Sequence, residues 1–128
     1  MIELYVYFNP NPIGAKVGDC VVRAISRLLD KSWEMVYVSI SAKGLELKDM
    51  PSSNAVWGAY LRSKGYTRYS LPNTCPDCYT VKQFCIDYPK GDYLLATNGH
   101  VVAVVNGNYY DAWDSGDEVL IYYWRKEK

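Results

Sequence analysis

Cys20 has the residue type and the local sequence of a catalytic nucleophile. It follows Gly18-Asp19 and opens a segment whose apolar residues recur at helical spacing, so we predict that it lies in the first turn of a helix with Asp19 as N-cap. Unpaired backbone amides and the helix dipole favour the thiolate over the thiol at such a position. The alternative is a small apolar core residue, because free cysteines are often buried.

His100 is the only histidine in the chain and opens a predicted strand directly after Gly99. An imidazole with an ordinary pKa of about 6.5 can take the proton of a thiol and stabilise the resulting thiolate as an ion pair. A hydrogen-bonded histidine in a surface loop is the alternative interpretation of this residue.

An acidic residue downstream would orient that imidazole, and the hairpin register selects it. Asn106-Gly107 is typical of a two-residue type I′ turn, which places His100 opposite Trp113 and puts Asp111 on the same face as a diagonal neighbour. Asp114 would then point the other way. A three-residue turn would exchange the two faces and favour Asp114 instead. Asp111 could also be a polar residue on the solvent face of an edge strand.

The elements that must position these residues follow from hydrophobic periodicity and from turn residues. The predicted elements are a strand at 2–8, helices at about 20–29, from Ser32 to Gly44, from Ser53 to Gly65 and at 81–88, and strands at 93–97, 100–105, 108–113 and 119–124. Residues 66–79 are predicted to be a loop. Helices followed by antiparallel strands indicate one α+β domain over residues 1–128, with the first helix packed against the sheet.

Composition narrows the class of partner. The 128 residues are 49% hydrophobic and carry 14 basic and 14 acidic side chains, so no overall field attracts nucleic acid or an anionic membrane. Neither a signal segment nor an apolar stretch of membrane-spanning length is present, and we therefore expect a cytoplasmic protein. The 13 tyrosines and four tryptophans suit a groove that binds a peptide or protein substrate.

Three further cysteines allow a different interpretation. Cys75 and Cys78 have the spacing of a metal knuckle or a redox pair, and Cys85 or His100 could complete a zinc site. Against zinc, Cys85 lies on the apolar face of the fourth predicted helix, where a core role explains it. We expect reduced thiols, because no signal segment points to an oxidising compartment. We predict no metal and no cofactor.

The residues around His100 and Asp111 resemble a known family. The run His100-Val-Val-Ala-Val-Val-Asn-Gly is similar to the histidine strand of papain-like cysteine peptidases, especially staphopain-type members. Asp111-Ala112-Trp113 resembles the family's Asn-Ser-Trp, and the order Cys, His, Asp is also that of the family. Small papain-like proteins of phages and mobile elements are similar as well.

The resemblance implies a papain-like fold and a role for each residue. Cys20 would form a thioester, His100 would act as base and then as acid, Asp111 would hold the imidazole tautomer, and Trp113 would cover their contact. The chain departs from the family in two respects. Gly14 and Ala15 stand where a glutamine usually helps to bind the oxyanion, and Asp19 and Val21 differ from the Gly-Ser-Cys-Trp surroundings typical of papain. Asn9 or Asn11 could replace the glutamine as one donor, and the backbone amide of Cys20 could supply the other.

The function predicted from these residues is thiol-dependent hydrolysis of a peptide or isopeptide bond. Two alternatives stay open at this point. One is a papain-fold interaction module without catalysis, with or without structural zinc. The other is an acyltransferase of transglutaminase type, which would use the same three residues.

Overall fold

The computed structural model describes residues 3–127, which form four helices and six strands. The helices are α1 (Cys20–Leu29), α2 (Trp33–Leu47), α3 (Asn54–Ser63) and α4 (Val81–Asp87). The strands are β1 (Tyr5–Tyr7), β2 (Tyr66–Ser70), β3 (Asp92–Thr97), β4 (His100–Val105), β5 (Asn108–Asp111) and β6 (Tyr122–Lys126). The α+β class is thus confirmed. Within the described residues, no helix is both long enough and apolar enough to cross a bilayer.

The six strands form one sheet in the order β1-β5-β4-β3-β6-β2. Each neighbouring pair is antiparallel except β1 and β5, which run parallel. The C-terminal strands β3, β4, β5 and β6 pair antiparallel, as predicted, but the sheet as a whole is mixed because β1 joins it in parallel. The reason is that β1 is separated from β5 by all four helices, so no hairpin forces the two strands to run in opposite directions.

Both faces of the sheet are covered, which explains why β4 is almost continuously apolar. Val101 and Ala103 belong to the core cluster under α1, α2 and α3, whereas Val102 and Val104 belong to the cluster under α4. Neighbouring residues of a strand point to opposite faces, so a strand covered on both sides needs apolar residues at every position. The predicted packing of α1 against the sheet is confirmed, with β4 as its main contact.

The end of α2 differs from the prediction, whereas the start of α3 agrees with it. α2 continues past Gly44, and Lys48 adopts the left-handed C-cap conformation with φ 57°. Gly44 is needed for packing instead, because a Cβ there would lie 2.8 Å from the carbonyl oxygen of Asp49. At the start of α3, the side chain of Ser53 accepts a hydrogen bond from Ala55 N, as expected of an N-cap.

The strand boundaries also shift where pairing overrides local pattern. Tyr66–Ser70, predicted as loop, forms the edge strand β2 against β6. The last strand begins at Tyr122, because Val119 makes only an isolated bridge with Thr80. β5 ends at Asp111, two residues earlier than expected. The predicted first strand begins partly outside the described residues, which start at Glu3.

The hairpin between β4 and β5 has the predicted two-residue turn. Asn106 and Gly107 have φ angles of 48° and 81°, and Val105 pairs with Asn108. These positive φ angles suit asparagine and glycine because both residues tolerate the left-handed region. The register that orders the residues of the candidate site is therefore fixed by this turn.

Gly107→Ala should lower the free energy of unfolding by about 1 kcal/mol, because alanine is strained at positive φ. The added Cβ would also lie only 3.4 Å from Cα of Pro89. Urea unfolding monitored by tryptophan fluorescence measures the change. Gly18→Ala is the control, since no atom lies within 4 Å of its added Cβ and its φ lies outside the left-handed region. Equal unfolding midpoints for the two variants would contradict the turn geometry.

Candidate active site

Cys20 is the first residue of α1 and is half-buried. Asp19 occupies the N-cap position as predicted, but its side chain makes no capping hydrogen bond. Its carboxylate instead accepts hydrogen bonds from Arg23 Nη1 at 2.6 Å and Trp33 Nε1 at 2.9 Å. The amides of the first turn of α1 therefore lack the predicted carboxylate cap beside the thiol.

His100 and Asp111 face each other across the open end of the β4–β5 hairpin. The distance between His100 Nε2 and Asp111 Oδ2 is 2.6 Å, which leaves Nδ1 as the ring nitrogen available to the Cys20 thiol. The indole of Trp113 lies 4.9 Å from the imidazole, measured between ring centroids. Trp113 covers one side of the imidazole. Its own outer face contacts solvent, because the residue is 46% exposed.

The carboxylate of Asp111 is fully buried and has partners on both oxygens. Oδ2 accepts the hydrogen bond of Ser115 Oγ at 2.6 Å in addition to the contact with His100. Oδ1 accepts from the backbone N–H of Ala112 at 2.8 Å and pairs with Arg23 Nη2 at 3.0 Å. Burial alone raises the pKa of Asp111, but the hydrogen bonds from His100, Ser115 and Ala112 and the charge of His100 lower it below its ordinary value. Asp111 is therefore ionised at neutral pH.

The pKa values of the thiol and the imidazole move in opposite directions. Burial raises the pKa of Cys20, but hydrogen bonds with the His100 side chain and the Val101 backbone outweigh it, and the charges of His100 and Arg23 lower the pKa further. Burial lowers the pKa of His100, whereas its contacts with Asp111 and Cys20 raise it to about 9. This arrangement favours a thiolate–imidazolium pair.

Asp114, the alternative acid, lies away from the imidazole. It accepts a hydrogen bond from the hydroxyl of Tyr109 and another from the backbone N–H of Gly116. The structure thus brings Cys20, His100 and Asp111 together and leaves Asp114 outside the group. This is the arrangement that the two-residue turn predicts.

Cys20 and His100 open into a cleft of about 380 Å³. Two carboxamides line it, those of Asn54 and Asn98, and neither was identified as an oxyanion donor from the sequence. Of the predicted donors, the two asparagines lie outside this cleft: Asn9 lines a neighbouring pocket beside Trp113, and the side chain of Asn11 accepts hydrogen bonds from its own loop. The remaining lining residues are Gly18, Val21, Ser52, Trp57, Ala96, Thr97, Gly99, Val101, Ile121 and Tyr122.

The other cysteines are remote from this chemistry. A disulfide joins Cys75 and Cys78, so the expectation of reduced thiols is wrong for this pair. That expectation was based on the cellular compartment alone and took no account of the short distance between the two residues, 4.1 Å from Cα to Cα. Cys85 is buried in the core under α4, which raises its pKa to about 12. Among residues 3–127, no three or more histidine, cysteine or acidic side chains form a group that could hold a metal ion.

Two residues of the site were missed by the sequence analysis, Arg23 and Ser115. Arg23 had a detectable signal, because it interrupts the apolar run of α1 three residues after Cys20 and four after Asp19. Ser115 had none, since its contact with Asp111 depends on the path of the loop after β5.

The chain was compared with protein-family models, with curated proteins and with solved structures, and none of the three comparisons found a match.

The pKa of His100 gives a direct test of this geometry, because a single histidine gives a single set of imidazole signals. An NMR titration should place its pKa near 9. Asp111→Asn should move that pKa down towards the ordinary value of about 6.5, since the carboxylate stabilises the protonated ring. The stabilisation that protonated His100 gives the fold is complete below pH of about 6.5 and is lost as the pH rises through the folded-state pKa.

Asp114→Asn is the matched control for this titration and should leave the pKa of His100 unchanged. A larger shift in the Asp114 variant than in the Asp111 variant would contradict the observed pairing.

Proposed function

We propose that this chain is a papain-like cysteine hydrolase that cleaves peptide or isopeptide bonds through a thioester on Cys20. The observation that carries the proposal is that Cys20, in the first turn of α1, shares a cleft with His100, whose Nε2 lies 2.6 Å from the carboxylate of Asp111. This arrangement lowers the pKa of the thiol. The placement of the groups supports a papain-like fold, because the thiol opens a helix packed on the sheet whose neighbouring strands supply the histidine and the acid.

The proposed reaction begins from the thiolate–imidazolium pair. The Cys20 sulfur attacks the carbonyl carbon and forms a C–S bond, the C–N bond breaks, and the amine leaves with the proton of His100. Neutral His100 then takes a proton from water, whose oxygen attacks the thioester carbon and expels the Cys20 thiolate. The products are an amine and a carboxylic acid, and Asp111 keeps the ring oriented throughout without itself taking a proton.

The oxyanion of the tetrahedral intermediate needs donors that the missing glutamine does not provide. The backbone N–H of Cys20 belongs to the first turn of α1, where amides have no partner within the helix. The side-chain NH₂ group of Asn54 is the proposed second donor. Asn54 Oδ1 accepts a hydrogen bond from Trp57 Nε1 at 3.1 Å, which turns the NH₂ group away from the indole. Both groups border the cleft that contains Cys20.

The lining of the cleft favours an uncharged stretch of substrate. Among the described residues that line it, the titratable ones are Cys20, His100 and Tyr122, and no aspartate, glutamate, lysine or arginine is present. Trp57, Ile121 and Tyr122 supply apolar surface beside backbone and carboxamide polar groups. A neutral peptide segment with an apolar side chain near the scissile bond matches this lining.

Alkylation by iodoacetamide as a function of pH, with peptide mapping, tests the thiolate–imidazolium pair. Cys20 should react well below the ordinary thiol pKa of about 8.5, because the thiolate is the reactive form. His100→Ala should remove this low-pH reactivity. Cys85 serves as an internal control and should stay unmodified in the folded protein, since it is buried. Reactivity of Cys20 that is ordinary and independent of His100 would overturn the proposal.

A substrate assay then separates the catalytic outcomes. Incubation with a mixture of neutral, N-blocked peptides should yield cleaved products by mass spectrometry, and Cys20→Ala should abolish cleavage while its thermal unfolding stays close to that of the unaltered protein. Added dansylcadaverine distinguishes transfer from hydrolysis, since its incorporation without cleavage to the acid would identify an acyltransferase. Loss of the fold on Cys20→Ala would assign Cys20 to the core instead.

A further inference from the structure

We propose that Arg23 is a positioning residue of this site, which holds Asp111 ionised and turned towards His100. The inference rests on the proposed function, because it concerns the acid of the same catalytic group. Arg23 lies three residues after Cys20 on α1, so one helix supplies both the nucleophile and the cation that stabilises the acid.

The guanidinium bridges two buried carboxylates. Its Nη1 lies 2.6 Å from Asp19 Oδ1 and its Nη2 lies 3.0 Å from Asp111 Oδ1, and its side chain is only 8% exposed. Trp33 fixes the far carboxylate through the hydrogen bond to Asp19 Oδ2. Arg23 therefore has little freedom to move, and Asp111 Oδ1 is held in place while Oδ2 faces His100.

The balance of charge shows why a cation is needed. Without Arg23, the buried carboxylates of Asp19 and Asp111 would keep a single ion-pair contact among residues 3–127, that of Asp111 with His100. Two carboxylates in such surroundings do not both stay ionised easily, so one would take a proton or turn away. The titratable or charged groups near Arg23 include Asp19, Asp111, His100, Cys20 and the phenol of Tyr5, which donates a hydrogen bond to the backbone oxygen of Asp111. Lys16 and Tyr7 line the same pocket as Arg23.

The same balance explains why an aspartate can stand where the resembled family carries an asparagine. A neutral carboxamide needs no countercharge, whereas a fully buried carboxylate does. Arg23 supplies that charge at Oδ1 of Asp111, whereas His100 contacts Oδ2. The imidazole and the guanidinium thus share the carboxylate between its two oxygens.

The test is the pH profile of Cys20 alkylation by iodoacetamide in Arg23→Gln, which removes the charge but keeps hydrogen-bond donors. The midpoint at which the rate rises should move up by about one pH unit, because an Asp111 side chain that takes a proton or turns away no longer stabilises the protonated His100 that lowers the thiol pKa. Arg23→Lys keeps the positive charge, so its midpoint should stay close to that of the unaltered protein. Arg27→Gln is the matched control, because Arg27 stands on the same helix but stacks on Tyr110 instead of a carboxylate, and it should leave the profile unchanged.

A double variant distinguishes action through Asp111 from a general effect on the helix. In an Asp111→Asn background, Arg23→Gln should add little further shift, because the group through which it acts is already neutral. If Arg23→Gln alone does not fold, Asp19→Asn with Arg23→Gln removes one charge of each sign, and an upward shift is still expected from it because Asp111 Oδ1 loses its pair with Arg23 Nη2.

Two results would overturn the inference: an unchanged profile in a folded variant that lacks the Arg23 charge, or a full additional shift in the Asp111→Asn background. Either can occur while the unaltered protein still shows a His100-dependent, low-pH thiolate, so the inference can fail without the proposed function. A wild-type midpoint near the ordinary thiol pKa would instead contradict the proposed function itself.

Discussion

The buried carboxylate of Asp111 is the constraint on which the rest of the site depends. Burying an ionised carboxylate away from solvent costs free energy unless its oxygens accept hydrogen bonds or pair with cations. In this structure four donors contact the two oxygens of Asp111. These donors come from α1, from the start of β4, and from the loop after β5. The positions of a helix, a hairpin and a loop are thereby tied to a single side chain.

This convergence also sets the properties of the thiol. Asp111 orients His100 and favours its protonated form, and His100 in turn favours the thiolate of Cys20. Arg23, which lies on the same helix as Cys20, pairs with the other oxygen of Asp111. The polar groups form a chain from Trp33 through Asp19, Arg23 and Asp111 to the imidazole, and each member restrains the next.

The parts of the structure that local rules decide could be predicted from the sequence. Asn106-Gly107 defined the turn, the turn defined the register, and the register selected Asp111 over Asp114. The helix that begins at Cys20 followed from its apolar spacing alone. These signals lie within a few residues of one another, so no knowledge of the tertiary fold was needed.

The parts of the structure that depend on contacts between distant segments could not be predicted from the sequence. The parallel pairing of β1 with β5 and the edge strand β2 depend on partners far along the chain, and β2 is exposed at four of its five positions, which gave it no strand-like alternation. The contacts of Ser115 and Arg23 with Asp111 are likewise tertiary. Asp19 was assigned to the helix cap because a local role was the only one that the sequence could show.

The hairpin supplies His100 and Asp111 together, whereas Cys20 precedes both by more than half of the described chain. A chain emerging from the ribosome therefore exposes the thiol long before the groups that activate it have been made. Until β4 and β5 pair and dock on α1, Cys20 has neither its imidazole nor the amide of Val101, and it behaves as an ordinary thiol. Assembly of the sheet is therefore the folding step at which the pKa of the Cys20 thiol falls.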